Sequence, residues 1–323
     1  MDGQRIIWID YAKAIGIFLV ILGHVPVPAD IKWAIYGIHM PLFFIISGYL
    51  KSQKDENWVK KTKKLANSLL VPYAIYCIAI TLMYCFIKNG STQFLISNVA
   101  LANYAALVGD FTTLCPLWFI VSLATMKLFD IIIKIAPPHW RYLVGFTILA
   151  IAISYANISN YFMIKTTILC VPFYYLGVYV KEIGLLKEGS LMTKQPLWVI
   201  VLGFAVSLVA SRLNGMVNLT TCEIETSYLL FLLSGSLGSI SMFELLRRLT
   251  TKTNNIIRNI SEGTLLIMSV HYLLIKPITT FLPSTNVFMW IIDSFIILSI
   301  TYCLILLSKR CCPVLLGKQI VFK

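Results

Sequence analysis

Long apolar runs, separated by short polar connections, follow one another along the whole of this chain. A helix needs roughly 20 apolar residues to cross the hydrocarbon core of a bilayer. The runs therefore predict an all-α fold, a polytopic membrane bundle of about ten transmembrane helices. The predicted spans cover residues 6–25, 31–50, 65–87, 115–136, 142–157, 161–181, 196–211, 227–246, 261–281 and 287–308.

The composition agrees with a membrane protein. Of the 323 residues, 58% are hydrophobic and 13% are charged, whereas soluble domains usually carry about 25% charged residues. A soluble enzyme, a disordered chain and a nucleic-acid-binding domain are therefore excluded. The first run contains Asp10 and Lys13 and lacks a cleavage site, so it is expected to remain as the first span. Residues 1–323 are predicted to form a single membrane domain, with no appended soluble domain.

The distribution of Lys and Arg predicts the orientation. Most of the 27 basic residues fall in the connections at 51–64, 181–194 and 247–258 and in the C-terminal tail. Because basic loops stay on the cytoplasmic side, both termini are predicted to be cytoplasmic. The net charge of +13 is attributed to loops that face anionic lipid. The basic residues left on the outer side are Lys32, Lys88 and Arg212.

The segment 89–112 does not fit this topology as a span. Counting it as one would turn every later basic connection outward, against the distribution of Lys and Arg. We therefore expect a surface or re-entrant helix on the outer face.

The cysteines indicate neither a disulfide scaffold nor a metal site. Several of the 8 cysteines lie inside apolar runs, where a thiol behaves as a small hydrophobe. No CxxC or mixed Cys/His pattern occurs, so no metal is expected. Cys115 and Cys222 both fall on the predicted outer side and are candidates for one disulfide. Cys311 and Cys312 are expected to stay reduced in the cytoplasm.

Three polar residues in the first span are candidates for function, because ionisable side chains are costly inside a membrane. Lys13 and His24 are eleven residues apart, which places them on one helix face with a rise of roughly 16 Å between them. Asp10 precedes Lys13 by three residues and can pair with it. The alternative is structural: an interfacial Asp10–Lys13 ion pair, with His24 as an end residue.

Two further histidines lie in predicted spans, His39 in the second and His271 in the ninth. A lone intramembrane histidine is often only a hydrogen-bonding group between helices. Together with His24, these two make a set of three histidines that are able to line one polar cavity suited to proton transfer on a substrate hydroxyl. His139, in a Pro-Pro turn, is interpreted as an ordinary loop residue.

Two stretches carry a family resemblance. Lys13, ten intervening residues and His24 resemble the Arg/Lys-x10-His signature of the acyltransferase-three family of integral membrane acyltransferases. Phe43-Phe44-Ile-Ile-Ser47-Gly48 resembles that family's Phe-Phe-x-x-Ser-Gly stretch. The family usually has Arg where this chain has Lys13, which keeps the charge but loses the bidentate fork. Weaker matches lie at 117–119, at 172–177 and at 261–271.

The resemblance implies transfer of an acyl group, usually acetyl from cytoplasmic acetyl-CoA, to a hydroxyl of a surface glycan or its lipid-linked precursor. It places the catalytic histidine at His24 and its basic partner at Lys13, with Asp10 beside it. His39 and His271 become weaker candidates for the substrate pocket. The implied setting is a multi-pass protein of the bacterial inner (plasma) membrane.

The residues themselves fit this chemistry. A neutral histidine in a poorly solvated site is able to activate a hydroxyl for attack on a thioester. The rise from Lys13 to His24 is about the reach of an extended pantetheine arm, so the nucleotide end is expected near the basic face. Ser47 and Trp118 are further pocket candidates, with close helix approach and a cavity wall or interfacial anchor as their alternatives. Candidates for the donor phosphates are Lys60, Lys61, Lys63, Lys64, Arg141 and Arg258, unless they serve topology alone.

The main alternative is a proton-coupled transporter or flippase of a polar or lipid-linked substrate, in which the buried Asp, Lys and His residues form a relay. Pro172 and Pro277 support the broken helices of a transporter only weakly. A non-catalytic scaffold would not need Asp10, Lys13 and His24 at this spacing. For an acyltransferase, direct attack on the thioester and an acyl-histidine intermediate both stay open.

Overall fold

The computed structural model describes residues 5–52, 57–87, 117–133, 137–252, 254–282, 286–318 and 321–322, and these are almost entirely helical. The first half of this part contains α1 (Ile7–His24), α2 (Ala29–Tyr36), α3 (His39–Tyr49), α4 (Trp58–Leu65), a π-helical turn (Ala66–Leu70), α5 (Val71–Ile87), α6 (Trp118–Ile133) and α7 (Trp140–Ser154). Cys115 and the segment 89–112 lie outside the described residues, so the predicted disulfide and the predicted re-entrant helix stay predictions.

The second half is also mostly helical. After a 3-10 turn (Tyr161–Met163) it contains α8 (Ile164–Glu182), α9 (Leu191–Lys194), α10 (Leu197–Asn214), β1 (Val217–Asn218), β2 (Glu223–Ile224), α11 (Tyr228–Leu249), α12 (Asn255–Glu262), α13 (Thr264–Phe281), α14 (Val287–Cys311) and a 3-10 turn (Pro313–Leu316). The two strands pair antiparallel, with Val217 opposite Ile224. Each predicted span thus coincides with helical structure in the described part of the chain.

In the described part of the chain, six helical stretches are long and apolar enough to cross a membrane. They are Ile7–His24, Ile31–Tyr49 (which runs through α2 and α3), Leu197–Asn214, Tyr228–Leu249, Thr264–Phe281 and Val287–Cys311. Trp140–Ser154 is apolar but shorter. The protein is therefore an all-helical, multi-pass membrane protein, and the number of ten spans stays a prediction.

Helix α1 lies at the centre of the bundle. It contacts α3, α11, α12, α13 and α14, and its buried residues cover most of its circumference, apart from one stripe of apolar and aromatic residues at 11, 15, 18 and 22. Asp10, Lys13 and His24 lie away from that stripe, on faces that pack against other helices.

Glycines bring the helices around α1 close together. A Cβ on Gly48 would collide with the carbonyl of Tyr174, and a Cβ on Gly177 would collide with the carbonyl of Ile45. Helices α3 and α8 therefore cross in backbone contact, which is the close approach that small residues permit in membrane bundles. This crossing fixes Ser47 and its neighbours against the rest of the bundle.

Basic residues from distant parts of the chain meet at one end of the bundle. Arg5, Lys51, Lys61, Lys181 and Lys318 all line a single cavity there. We call this end the basic end and the opposite end, where α1 finishes at His24, the far end.

Candidate active site

Helix α1 connects the two ends of the candidate site. It runs unbroken from Ile7 to His24, without an internal proline. Lys13 and His24 therefore share one face, separated by a rise of roughly 16 Å, as the sequence predicts. Lys13 lines the cavity at the basic end, whereas His24 lies at the last turn of the helix.

The three intramembrane histidines come together near the far end. The ring of His24 lies 5.1 Å from that of His271 and 6.3 Å from that of Tyr36. Tyr36 in turn lies 5.0 Å from His39. Helices α1, α2, α3 and α13 thus build one cluster of rings, which we call the histidine cluster: His24, Tyr36, His39, His271 and Tyr272. The three histidines thus lie together, and the polar cavity that they were predicted to line stays a prediction.

The hydrogen bonds of these histidines determine which ring nitrogen is available. Nδ1 of His24 lies 2.7 Å from the carbonyl of Val20, and Nδ1 of His271 lies 2.8 Å from the carbonyl of Ile267. His39 makes the same contact with a carbonyl one turn earlier. A carbonyl oxygen only accepts, so Nδ1 carries the hydrogen and Nε2 of a neutral ring keeps its lone pair. Each ring is oriented to act as a base through Nε2.

His271 is the most enclosed member of the cluster. Its side chain is fully buried, and its Nε2 has no hydrogen-bond partner among the described residues. His39 is buried as well, whereas His24 is half-buried. His24 is therefore the member that a substrate reaches most directly.

A cavity of about 1370 Å³ opens at the basic end. Ligand pockets usually measure about 300–1,000 Å³, so this one has room for a large nucleotide-linked molecule. Its wall combines apolar side chains such as Phe43 and Phe119 with many charges. The charged lining residues are Arg5, Asp10, Lys13, Lys51, Lys61, Lys64, Lys127, Asp130, Lys181, Glu262 and Lys318.

The cavity carries an excess of positive charge that its own carboxylates do not neutralise. Arg5 pairs with Asp10 at 2.5 Å and Lys51 pairs with Asp130 at 2.7 Å. Glu262 accepts from four cations, Arg5, Arg258, Lys309 and Lys318. Each lining carboxylate is thus already paired. Among the described residues, no carboxylate lies in ion-pair contact with Lys13, Lys61, Lys64 or Lys127.

The predicted Asp10–Lys13 ion pair is wrong. Asp10 receives two hydrogen bonds from Arg5, at 2.5 and 2.9 Å, and one from Ser261 at 2.7 Å. Arg5 reaches Asp10 because it precedes the helix and folds back over its first turn. Lys13 lies outside ion-pair contact with Asp10, although the two charges still interact, and Lys127 of α6 is close enough for its charge to interact with Lys13 as well. Both lysines line the cavity and add to its positive charge.

The other predicted pocket residues divide between the cavity and its surroundings. Ser47 lines the cavity, next to the close contact that Gly48 makes with α8. Trp118 is buried at the start of α6 and is not among the lining residues. Its neighbour Phe119 lines the cavity instead and contacts Trp118 edge to face at 6.1 Å.

The predicted phosphate-binding residues also divide. Lys61 and Lys64, three residues apart on α4, line the cavity, whereas Lys60 and Lys63 do not. Arg141 stacks on Trp140 at 5.8 Å, and Arg258 pairs with Glu262 at 3.1 Å. Neither arginine lines the cavity. Of the six candidates for the donor phosphates, only Lys61 and Lys64 therefore line the cavity.

The interpretation of His139 as an ordinary loop residue is wrong. His139 is buried, and both its backbone N–H and its Nδ1 bond to Oε2 of Glu182, at 3.1 and 2.9 Å. It also lines the cavity. The partner is 43 residues away in sequence, so the local turn pattern gave no sign of it.

Comparison with known families decides the class of the protein. A family model described as an acyltransferase domain matches residues 6–309, which is nearly the whole chain. The chain belongs to the acyltransferase-three family. Comparison with curated proteins and with solved structures gives no match.

The protein is therefore a membrane acyltransferase, and the transporter alternative is set aside. In the acyltransferase, the histidine cluster and the basic cavity are joined by α1, with a base at one end and a cationic cavity at the other. Among the described residues, no group of His, Cys, Asp and Glu is arranged to hold a metal ion.

Several cavity residues of the acyltransferase were missed by the sequence reasoning. Arg5, Lys51 and Lys181 appear in the sequence only as basic residues at span ends, which topology alone explains. Lys127 gave a stronger signal, because it lies inside an apolar run. Asp293 gave the same signal in the last span and is fully buried.

Proposed function

We propose that the acyltransferase moves an acyl group, acetyl by preference, from acyl-CoA to a hydroxyl of a surface glycan or a lipid-linked sugar. The observation that carries this proposal is the cationic cavity that reaches Lys13, on the same helix that ends at His24. A donor with several phosphates fits such a cavity, and a glycan hydroxyl needs a base such as His24.

The phosphates of the donor are assigned to lysines that have no carboxylate partner in the described part of the chain. Lys61 and Lys64 lie on α4 near the mouth, and Lys13 and Lys127 lie between the spans. An uncompensated ammonium inside a membrane protein costs about 3 kcal/mol, so binding of an anion there relieves an existing cost. The pantetheine arm then extends along α1 towards His24.

His24 acts as the general base in this proposal. Its Nε2 takes the proton of the acceptor hydroxyl while that oxygen attacks the thioester carbonyl carbon. The carbon–sulfur bond then breaks, and the CoA thiolate leaves with the proton that His24 returns. The bond from Nδ1 of His24 to Val20 supports this role, because it holds Nε2 as the free base.

The proposed setting is the bacterial inner membrane, with ten spans, both termini and the basic end on the cytoplasmic side. Cytoplasmic acyl-CoA then enters the cavity directly, while the far end faces the acceptor. Labelling of single cysteines tests this orientation. Residues in 51–64 and 247–258 should react only from the cytoplasm and residues in 212–226 only from outside. Outside labelling of 181–194 would contradict the ten-span topology.

The activity itself is tested with the purified full-length protein and acetyl-CoA. Addition of glycan from the cell envelope should cause release of free CoA and an equal amount of ester-bound acetyl on the glycan. A fluorescent thiol reagent and mass analysis of the glycan measure the two products. Glycan from cells that lack the protein serves as the unmodified acceptor. Failure to release CoA with every envelope fraction would reject the proposed donor and acceptor.

A further inference from the structure

A basic and aromatic surface lies beside the histidine cluster at the far end. Its residues are Lys32 and Trp33 of α2 and Arg212 of α10, and we call them the far-end patch. Trp33 precedes Tyr36 of the cluster by three residues, about 4.5 Å of helical rise. The ring of Tyr36 lies 6.3 Å from that of His24, so Tyr36 connects the patch to the proposed base.

The patch is held in place by contacts between helices. The guanidinium of Arg212 lies 5.7 Å from the centre of the Trp33 ring. Ser211 donates a hydrogen bond of 2.6 Å to the carbonyl of Trp33, and Tyr36 donates one of 3.3 Å to the carbonyl of Gly23. Helix α2 is therefore fixed to both α10 and α1. These contacts hold the far-end patch in a fixed position relative to the histidine cluster.

The charge of the patch is unusual for its location. Of the basic residues that the topology leaves on the far side, Lys32, Lys88 and Arg212, the last lies over the ring of Trp33 and the first is the residue that precedes Trp33 on α2. Lys32 also lies close enough to His24 for their charges to interact. No carboxylate whose side chain is described forms an ion pair with Lys32 or Arg212. The positive-inside rule accounts for basic residues on the cytoplasmic side and gives no reason for this pair on the outer side.

We propose that the far-end patch binds an anionic group of the acceptor, so that the acceptor is an anionic glycan bearing phosphate or carboxylate. Lys32 and Arg212 bind the anion, and the ring of Trp33 forms the flat apolar wall that orienting sites commonly have. The neighbouring sugar then presents its hydroxyl to His24. This inference rests on the proposed acyl transfer and names its substrate class.

Acceptor charge is tested first. Envelope glycan from cells that lack the protein is separated by anion exchange into charged and neutral fractions. Purified full-length protein in dodecyl maltoside is then given radiolabelled acetyl-CoA and each fraction. Label should enter the charged fraction. Label in the neutral fraction alone would overturn the inference while leaving acyl transfer intact. If no fraction causes CoA release or takes up label, the proposed function itself fails.

The patch residues are tested next on the charged fraction. Lys32→Gln and Arg212→Gln should each raise the acceptor concentration for half-maximal rate about tenfold or more, since each removes a charge-assisted hydrogen bond. Arg212→Lys should restore part of the affinity. Lys165→Gln is the matched control, because Lys165 is bonded to the carbonyl of Ala156 and lies outside the patch. Unchanged acceptor affinity in both Gln variants would overturn the inference.

A phospholipid headgroup offers the same anionic group as an anionic glycan. Measurements in detergent and in phospholipid nanodiscs distinguish binding of the glycan from binding of the lipid. In dodecyl maltoside no phosphate group surrounds the protein, whereas phospholipid nanodiscs supply one at the level of the patch. A defect of Arg212→Gln in both media supports binding of the acceptor. A defect confined to nanodiscs would assign the patch to lipid contact and overturn the inference.

Discussion

His24 and His271 lie edge to face, with ring centroids 5.1 Å apart and planes at 69°. Both rings bond through Nδ1 to a carbonyl four residues earlier in their own helices, so both offer Nε2 as the base. The two differ in access, because His271 is fully buried and His24 is half-buried. This difference in access is why the proposed mechanism places proton transfer on His24 and gives His271 a supporting position.

Removal of the base should abolish acyl transfer. His24→Ala is expected to lower the turnover number by a factor of about 10²–10⁴, which is the usual contribution of a general base. His271→Ala, next to it, should have a smaller effect on turnover. CoA release at saturating acetyl-CoA and equal membrane abundance measures both variants. Near-wild-type turnover of His24→Ala would remove His24 from the mechanism and leave the family assignment as a statement about fold.

Substitution of Asp10 should lower the stability of the protein, whereas substitution of Lys13 should lower its activity. Asp10→Asn weakens the contacts with Arg5 and Ser261, so it should lower the free energy of unfolding by about 1–3 kcal/mol. Lys13→Met removes a charge that has no carboxylate partner in the described structure, so it should not destabilise the protein. It should nevertheless raise the KM for acetyl-CoA strongly, and Lys13→Arg should keep substantial activity.

Thermal unfolding in detergent and CoA release distinguish these outcomes. If Lys13→Met destabilised the protein as much as Asp10→Asn, an ion pair between the two would explain the data better than the anion site proposed here.

The sequence predicted the helices and singled out the three histidines, because both follow from local patterns. Apolar runs mark each helix, and His24, His39 and His271 stand out as polar residues within such runs. The chain also required His24 to lie on the face of Lys13, since an unbroken helix fixes that relation.

Pairings between distant segments were not predictable in the same way. Arg5 binds Asp10 and also Glu262, which is 257 residues away. Glu182 binds His139 across the cavity wall, and no short-range pattern indicates that contact. Such partners depend on how helices are arranged around α1, which periodicity does not specify.

Two lysines one turn apart on α4, of which only one lines the cavity, should differ in donor binding. Lys64→Gln removes a cavity charge, so it should raise the KM for acetyl-CoA about tenfold, and the effect should shrink at high salt. Lys60→Gln, on the same helix but away from the cavity, is the matched control and should leave the KM unchanged. Equal KM values for the two variants would exclude α4 from the donor site.

Acid should weaken the cluster around Glu262, which lies at the end of α12, before the candidate span begins. Burial raises the pKa of Glu262, but hydrogen bonds from Lys309, Lys318 and Arg5 outweigh burial and hold the pKa well below its ordinary value. A carboxyl with a depressed folded pKa stabilises the protein above its unfolded pKa of about 4.3 and loses that effect as the pH falls towards the folded value.

The unfolding temperature should therefore fall as the pH is lowered below about 5, and Glu262→Gln should reduce this dependence. At pH 7 the variant should be less stable than the wild type, because four cations lose their shared partner. Thermal unfolding in detergent across this pH range measures both effects. The same pH profile in the wild type and in Glu262→Gln would show that the cluster does not couple to folding.

His139 should matter for stability through Glu182 and for activity through the cavity. His139→Ala removes a buried ring and its hydrogen bond of 2.9 Å to the carboxylate, so it should cost about 1–3 kcal/mol of unfolding free energy. His139→Asn places an amide donor near the same carboxylate and should recover part of that loss. Glu182→Ala removes the acceptor for both the ring and the backbone N–H, so it should cost more than His139→Ala.

Combining His139→Ala with Glu182→Ala should cost less than the sum of the single effects, since the two variants remove one shared contact. Thermal unfolding of the four variants gives this coupling, and CoA release gives the KM for acetyl-CoA, which His139→Ala should raise because the ring lines the cavity. Additive costs with an unchanged KM would return His139 to the role of an ordinary loop residue.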